Sequence, residues 1–475
     1  MRTMPDTAYL TAPVASTKLP PGIPYIIGNE AAERFSFYGM KAILVVFMTK
    51  YLLDSRGNPA CMTEEQAKEY YHLFVASAYF FPVFGAILAD FWLGKYRTII
   101  SLSLVYCLGH LALAVNDTRI GLFAGLALIA IGSGGIKPCV SANVGDQFGK
   151  SNAHLQEKIF GWFYLSINLG ASLSTMITPR LLEKFPGWLA ATFPAASPEA
   201  RANILKLGPH LAFGLPGLLM LIATWVFWKG RYKFVHIPPR AWRNVSRSLF
   251  GEGGKSLLRL IPVYVFVAVF WSLYDQTGSA WILQAEKMNR HILGFEVLAS
   301  EIQVVNPILI LILVPFFTYV GYPLINSVFR LTPLRKVSLG LFLMVATFSI
   351  SAVAQQLVDT GMKPSVGWQL LAYVVITSAE VMVSVTCLEF SYTQAPPEFK
   401  SFVMSMYLLS VSAGNLFTTL VNKVIQNPDG SVKLQGAQYY WFFTAVMLGA
   451  AILFIPVARF YREKTYIQEE QPPTA

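Results

Sequence analysis

Two acidic and two basic side chains share one face of an apolar segment that extends from about residue 23 to residue 53. With successive residues about 100° apart, the face spans about 140° and carries Glu30, Glu33, Arg34 and Lys41. A charge facing lipid costs several kcal/mol, so this face must be turned toward protein or water. The stripe is either an ion-pair network that joins helices or, as ionisable groups inside a membrane usually indicate, part of a pathway for substrate and ions.

The composition is that of a polytopic membrane protein. The chain has 475 residues, 54% hydrophobic and only 13% charged, with a mean hydropathy of +0.49. Its net charge of +11 could suggest nucleic acid, but the basic residues cluster in short loops beside apolar segments, which is the positive-inside pattern. The four cysteines form neither a disulfide framework nor a metal-binding spacing. We therefore expect the lipid bilayer as a partner, no nucleic acid, and no cofactor or metal.

Apolar segments of spanning length predict twelve transmembrane helices, six on each side of a basic, Pro- and Gly-containing linker. They fall at about 23–53, 68–94, 97–116, 119–142, 157–182, 208–228, 258–286, 297–327, 335–357, 365–393, 401–425 and 437–462. Two six-helix bundles joined in this way predict an all-α membrane protein with the major facilitator fold, in which substrate binds between the halves.

The same hydropathy divides the chain into five parts. Loops on the same side of the membrane as the linker carry more Lys and Arg than the loops on the opposite side. We therefore place the linker and both tails in the cytoplasm, in a multi-pass plasma membrane protein. The predicted parts are a tail (1–22), an N-terminal bundle (23–228), the linker (229–257), a C-terminal bundle (258–462) and a second tail (463–475).

Further polar residues lie within the predicted spans. His72 could be an interfacial residue or, because it titrates near neutral pH, a proton carrier. The N-terminal half holds the bases Arg34, Lys41 and Lys137, whereas the C-terminal half offers Asp275 and Glu380. A ligand with a carboxylate at one end and an ammonium at the other would therefore bridge the halves.

Two motifs carry a resemblance to a known family. The run from Glu30 to Gly39 resembles the ExxERFxYYG motif of the proton-dependent oligopeptide transporters, and Phe163 to Gly170 resembles their FYxxINxG motif. The resemblance extends over all twelve predicted spans. Tyr274 to Gln276 looks more like the animal members than many bacterial ones, although loop 358–364 has no room for the animal extracellular domain. We expect a bacterial inner-membrane protein with an animal-like core.

The resemblance implies a role for each site residue. It implies contacts with peptide termini, backbone and side chains for Arg34, Lys41, Lys137, Tyr38, Tyr79, Asn168, Trp271, Asn306, Glu380, Ser384 and Tyr407. It implies proton coupling for Glu30, Glu33, His72 and Asp275. Phe37 replaces a motif tyrosine, Lys41 stands where arginine is common, and Tyr407 stands where some bacterial members have tryptophan. These departures bear on substrate preference more than on transport class.

The predicted function is therefore uptake of di- and tripeptides with protons by alternating access, by a functional monomer that is not an enzyme. Two alternatives remain open: a proton-coupled carrier of nitrate or another small anion on the same fold, and a non-transporting membrane receptor. Glu380 argues against the first, because an anion needs no acidic partner. The many buried titratable groups argue against the second, because such groups are costly without a task.

We also expect two contacts across the halves. Lys137 and Asp275 should pair when the halves close, since an unpaired buried charge is costly. His72 should lie beside Asp275 as the outer access point for protons, with its charged form favoured by that carboxylate.

Overall fold

The structure is a computed structural model that describes residues 9–193, 197–239, 252–292, 294–394 and 400–461. The predicted tails and basic linker fall partly outside these ranges, at residues 1–8, 240–251 and 462–475.

The N-terminal half is a bundle of long helices with two short ones in the connection after the fifth span. Its helices are α1 (Ile23–Lys50), α2 (Glu64–Phe80), α3 (Pro82–Ile87), α4 (Lys95–Val115), α5 (Arg119–Asp146), α6 (Gln156–Glu183), α7 (Phe185–Thr192), α8 (Pro198–Leu205) and α9 (Leu207–Lys229). A π-helical turn, Leu88–Leu93, extends α3.

The C-terminal half contains more interruptions. Its helices are α10 (Glu252–Tyr274), α11 (Ala280–Glu286), α12 (Val305–Phe316), α13 (Tyr322–Val328), α14 (Pro333–Asp359), α15 (Gly367–Glu380), α16 (Thr386–Thr393), α17 (Lys400–Val424) and α18 (Ala437–Phe460). A two-stranded antiparallel hairpin, β1 (His291–Ile292) with β2 (Phe295–Glu296), follows α11.

Ten helical stretches within the described residues are long and apolar enough to cross a membrane. The two remaining predicted spans, α1 and α6, are each 28 residues long, enough to cross a hydrocarbon core of about 30 Å. Both carry charged residues, which lower their apolar content, and α1 is the helix of the charged stripe. These helices are consistent with the predicted twelve spans.

Glycines let the helices of the N-terminal half approach closely. A Cβ atom added to Gly85 would lie 2.0 Å from the carbonyl oxygen of Gly135, and one added to Gly132 would lie 2.7 Å from that of Leu102. Backbone atoms cannot move aside as a flexible side chain can. The small residues around Ser133 therefore fix how α5 packs on its neighbours.

Local signals place the ends of two segments. The predicted capping box at the start of α2 is confirmed, because Thr63 Oγ1 accepts from the Gln66 amide at 3.2 Å and Gln66 Oε1 accepts from the Thr63 amide at 3.4 Å. At the other face of the bundle, the Tyr9 ring stacks on His236 at 4.2 Å. The start of the chain thus packs on the start of the linker. We call this face the linker side and the opposite face the far side.

Polar contacts between the two halves cluster at the far side. Lys287 Nζ lies 2.8 Å from Glu64 Oε1, and Gln426 Nε2 donates to Glu69 Oε2 at 3.1 Å. We define the far-side contacts as Lys50–Glu286, Lys287–Glu64, Arg180–Glu301 and Gln426–Glu69. Three of them are ion pairs with at least one exposed side chain, and an ion pair at the surface contributes at most about 1 kcal/mol, so a closure built from them can open again.

The glycine packing gives a direct test of the fold. Gly85→Ala should destabilise the protein by about 1–3 kcal/mol, because the new methyl group meets rigid backbone. Gly449→Ala is the matched control, since a Cβ atom at that helical glycine meets nothing within 4 Å. Thermal unfolding in detergent measures both, and equal melting temperatures for the two variants would contradict this packing.

Candidate functional site

The charged stripe of α1 forms a buried ion-pair network. Arg34 Nε donates to Glu30 Oε1 at 2.7 Å and lies 3.2 Å from Glu33 Oε2. Glu33 accepts a further hydrogen bond at 2.7 Å from Ser133 Oγ on α5. The Glu30 and Glu33 side chains are only 2% and 1% exposed. Both carboxylates are thus compensated by one guanidinium, so protonation of either would weaken its hold on Arg34.

Asp275 lies at a break in its helix and pairs across the halves with Lys41. The Lys41 Nζ to Asp275 Oδ1 distance is 2.6 Å, and Asn415 Nδ2 donates to the other carboxylate oxygen at 2.7 Å. A 3₁₀ turn, Asp275–Gly278, interrupts the segment between α10 and α11. A Cβ atom at Gly278 would lie 1.9 Å from the Tyr71 hydroxyl, so glycine permits this close approach to α2.

The expected pairing of Lys137 with Asp275 is wrong for this structure. Asp275 is already occupied by Lys41, and the Lys137 ammonium instead lies 3.7 Å from the ring centre of Phe37 and 4.6 Å from that of Tyr79. Within the described part of the chain, Lys137 Nζ has no hydrogen-bond partner. Helical periodicity predicted that each basic side chain is buried, but it could not predict which side chain of another helix lies beside it.

His72 reaches Asp275 through an intermediate residue. Its Nδ1 lies 2.7 Å from Asn415 Oδ1, and its Nε2 lies 2.9 Å from Ser279 Oγ. Because Asn415 also donates to Asp275, the three side chains form a hydrogen-bonded chain across the halves. The expected neighbourhood of His72 and Asp275 is therefore present, with an amide between the two groups.

Glu380 is held at the end of α15 by its neighbours. Asn306 Nδ2 donates to Glu380 Oε2 at 2.8 Å and to Thr377 Oγ1 at 3.1 Å. Tyr274 donates to Asn306 Oδ1 at 3.3 Å. A π-helical turn, Val381–Val385, follows directly, and such turns often occur at functional sites.

A cavity of about 190 Å³ lies between the halves. Its walls contain one base and two acids together with aromatic and amide side chains. Predicted site residues that line it are Tyr38, Lys41, Tyr79, Asn168, Trp271, Asp275, Asn306 and Glu380. Within the described residues, no group of three His, Cys, Asp or Glu side chains could hold a metal ion.

Other predicted site residues do not line this cavity. They are Glu30, Glu33, Arg34, His72, Lys137, Ser384 and Tyr407. Ser384 and Tyr407 were expected in side-chain pockets, but their hydroxyls bond to each other at 3.0 Å and Tyr407 is buried. Arg34 was expected to face a peptide carboxylate, and here Glu30 and Glu33 hold it instead.

Sequence reasoning missed several residues of the site. Tyr164, Tyr274 and Tyr373 line the cavity, and Asn415 connects His72 to Asp275. Tyr164 lies inside the second motif and Tyr274 adjoins Asp275, so their positions offered a signal. The only signal for Asn415 in the sequence was an amide side chain within an apolar segment.

Comparison with known proteins agrees with the motifs. A family model described as the POT family matches residues 96–252 and 240–442. Solute carrier family 15 member 2 of Homo sapiens is 35% identical over 422 residues, which cover 78% of this chain and 54% of that protein. Peptide transporter family 1 of Drosophila melanogaster is 36% identical over 377 residues, which cover 70% and 47% respectively. The chain thus spans about half the length of these curated relatives.

A solved structure shows the same fold. The POT family transporter PepTSo superposes with a TM-score of 0.82 at 35% identity, covering 94% of this chain and 99% of that one. This likeness confirms the predicted all-α major facilitator fold. On the family model, the curated relatives and this structure together, the chain belongs to the POT family of transporters.

Proposed function

We propose that the protein is a proton-coupled symporter that imports di- and tripeptides by alternating access. The observation that carries the proposal is the cavity between the halves, which presents the base Lys41 from one half and the acid Glu380 from the other. A relative named peptide transporter and a structure titled as a proton dependent oligopeptide family transporter support the substrate class and the coupling ion.

Glu380 provides the recognition of the peptide ammonium. It lines the cavity and is oriented by Asn306, which also presents a carbonyl oxygen toward Tyr274. A carboxylate with one fixed hydrogen bond retains lone pairs for a second, charged donor. This arrangement disfavours a carrier of small anions, which would gain nothing from an acid in the cavity.

The pair of Lys41 and Asp275 couples binding to movement of the halves. Both side chains line the cavity, so a peptide carboxylate can compete with Asp275 for the ammonium. A proton on Asp275 would weaken the same pair. Either event lowers the cost of separating the halves at this level, because a broken buried pair otherwise leaves two uncompensated charges.

The far-side contacts close one end of the cavity, so we infer that it opens toward the linker side. The excess of basic residues in the loops of that side supports a cytoplasmic location for it, in a protein of the plasma membrane or bacterial inner membrane. The predicted bundles at 23–228 and 258–462 are the moving units, and the linker at 229–257 joins them. A single chain holds both halves of the site, which is consistent with a functional monomer that needs no cofactor.

Transport itself gives the primary test. In proteoliposomes with an imposed proton gradient, labelled dialanine should accumulate inside, and a protonophore should abolish the accumulation. At about 2.3 kcal/mol per charge per 100 mV, one proton could sustain roughly fifty-fold accumulation of a neutral zwitterion per 100 mV. Nitrate accumulation without peptide accumulation would instead indicate an anion carrier, and accumulation of neither would contradict a transport role.

Glu380→Gln should reduce uptake of free dipeptides by at least tenfold while the protein remains folded, because the loss of a charge-assisted hydrogen bond costs about 1.5–3 kcal/mol. Glu389→Gln is the matched control, since Glu389 is exposed on the next helix. N-acetylated dipeptides, which lack the ammonium, should compete poorly with the native protein. Equal competition by acetylated and free peptides would rule out this role for Glu380.

Asp275→Asn should remove accumulation driven by the proton gradient, because an amide cannot take up a proton to release Lys41. Counterflow exchange, which needs no net proton movement, should survive in part. Asp429→Asn is the control, since Asp429 is an exposed aspartate in the loop before α18 and takes no part in the described contacts between the halves. Undiminished accumulation by the Asp275 variant would show that the proton is carried elsewhere.

A further inference from the structure

Helix α4 carries a buried polar stripe that the peptide site does not use. Ser103, Tyr106 and His110 are spaced by three and four residues, so they share one helical face. Their exposures are 1%, 0% and 0%. Among the residues that the structure describes, their side-chain polar atoms have no hydrogen bond of good geometry, although the Phe213 backbone approaches His110 and Ser133 approaches Tyr106. Leaving a buried polar group unsatisfied costs about 1–3 kcal/mol, so three such side chains on one helical face indicate a function.

The inner end of the stripe reaches the charged network of α1. The rings of His110 and Tyr106 have centroids 5.0 Å apart. The Tyr106 hydroxyl lies beside Ser133, and Ser133 Oγ donates to Glu33 at 2.7 Å. The polar groups of α4 therefore lead to the carboxylate that Arg34 holds.

The outer end reaches the far-side surface along α9. A Cβ atom at Gly217 would lie 2.7 Å from His110 Cβ, so α9 packs directly on this histidine. Ala114 lies one turn beyond His110 on α4, and its carbonyl oxygen is 2.6 Å from His210 Nδ1 on α9. The other ring nitrogen of His210, Nε2, lies 3.7 Å from Asp117 Oδ2. The His210 side chain is 40% exposed, so this pair meets solvent.

The stripe on α4 and the Asp117–His210 pair together span about half the thickness of the membrane. From Tyr106 to the end of α4 at Val115 the helix rises about 14 Å, against a hydrocarbon thickness of about 30 Å, and Asp117 follows just beyond that end. The ionisable groups that face the stripe are Asp117 and His210 at its outer end, Cys107 on α4, and Glu33 and Arg34 at its inner end. Histidine suits the middle, because its ring can accept a proton on one nitrogen while it releases one from the other.

We propose that His110 relays protons from the Asp117–His210 pair to Glu33, through the hydroxyls of Tyr106 and Ser133. Each member accepts one proton and passes one on, and Glu33 ends as a carboxylic acid with a weaker hold on Arg34. The relay requires water between His110 and the Asp117–His210 pair, of the kind that commonly satisfies buried polar groups. This route is separate from the chain of His72, Asn415 and Asp275, and it rests on the proposed proton coupling.

The burial of Glu33 explains the need for such a route. Its side chain is 1% exposed and does not line the cavity between the halves. Water in that cavity therefore has no direct contact with this carboxylate. A path through the N-terminal bundle lets Glu33 equilibrate with the far side while the halves remain closed there.

The test compares two kinds of transport by His110→Gln in proteoliposomes. Counterflow exchange of dialanine at equal pH should match that of the native protein, which shows that the variant folds and binds peptide. Uptake driven by acid on the far side, and the proton influx reported by an internal pH dye, should fall by at least about tenfold, because water alone conducts past the missing ring less well. His291→Gln, an exposed histidine on β1, is the control and should behave as the native protein does.

Native rates and a native pH profile for the His110 variant would overturn the relay, as would an equal loss of exchange and of proton-driven uptake, which indicates a structural role. If His110→Gln cannot be purified folded, Tyr106→Phe decides by the same readouts, because it keeps the ring and removes the hydroxyl. A native protein that neither exchanges nor accumulates peptide would overturn the proposed function and the relay with it.

Discussion

The organisation of this protein depends on one constraint: a charge buried in the membrane is costly without a partner, and one such pair joins the two halves at the cavity. Lys41 and Asp275 lie 2.6 Å apart, one on each side of the cavity. Separating the halves leaves both charges uncompensated unless a proton or a substrate group replaces a partner. A transporter built around such a pair links a change of protonation or ligand to a change of conformation without any further device.

The helices are irregular where this chemistry occurs. Asp275 begins a 3₁₀ turn, and Glu380 directly precedes a π-helical turn. Such breaks displace side chains from the regular helical path and release backbone groups inside a protein-lined space, where unsatisfied backbone is tolerated. The N-terminal half has the opposite character, because its glycines let α5 lie against neighbouring backbone and so hold the α1 network rigidly.

Sequence patterns predicted the spans, the two halves and most polar residues of the site, because membrane length and helical period constrain which residues can be buried together. They did not predict contacts between helices. The pairing of Lys137 with Asp275 was inferred from charge alone, whereas the partner of Asp275 is set by the break after Tyr274 and by Asn415. Ser384 lies one turn after Glu380, yet it and Tyr407 bond to each other outside the cavity lining.

The three bases of the N-terminal half are held with unequal strength, and under the proposed function this bears on how a peptide carboxylate would be received. Arg34 has two carboxylates, Lys41 has one, and Lys137 rests on the rings of Phe37 and Tyr79. Cation–π contacts are worth about 0.5–2 kcal/mol, less than a buried ion pair loses when it is broken. A carboxylate in the cavity must therefore displace Asp275 from Lys41 or move Tyr79 to reach Lys137. Either way, under the proposed function binding would disturb a contact between the halves or in the wall of the cavity, so recognition and conformational change would use the same side chains.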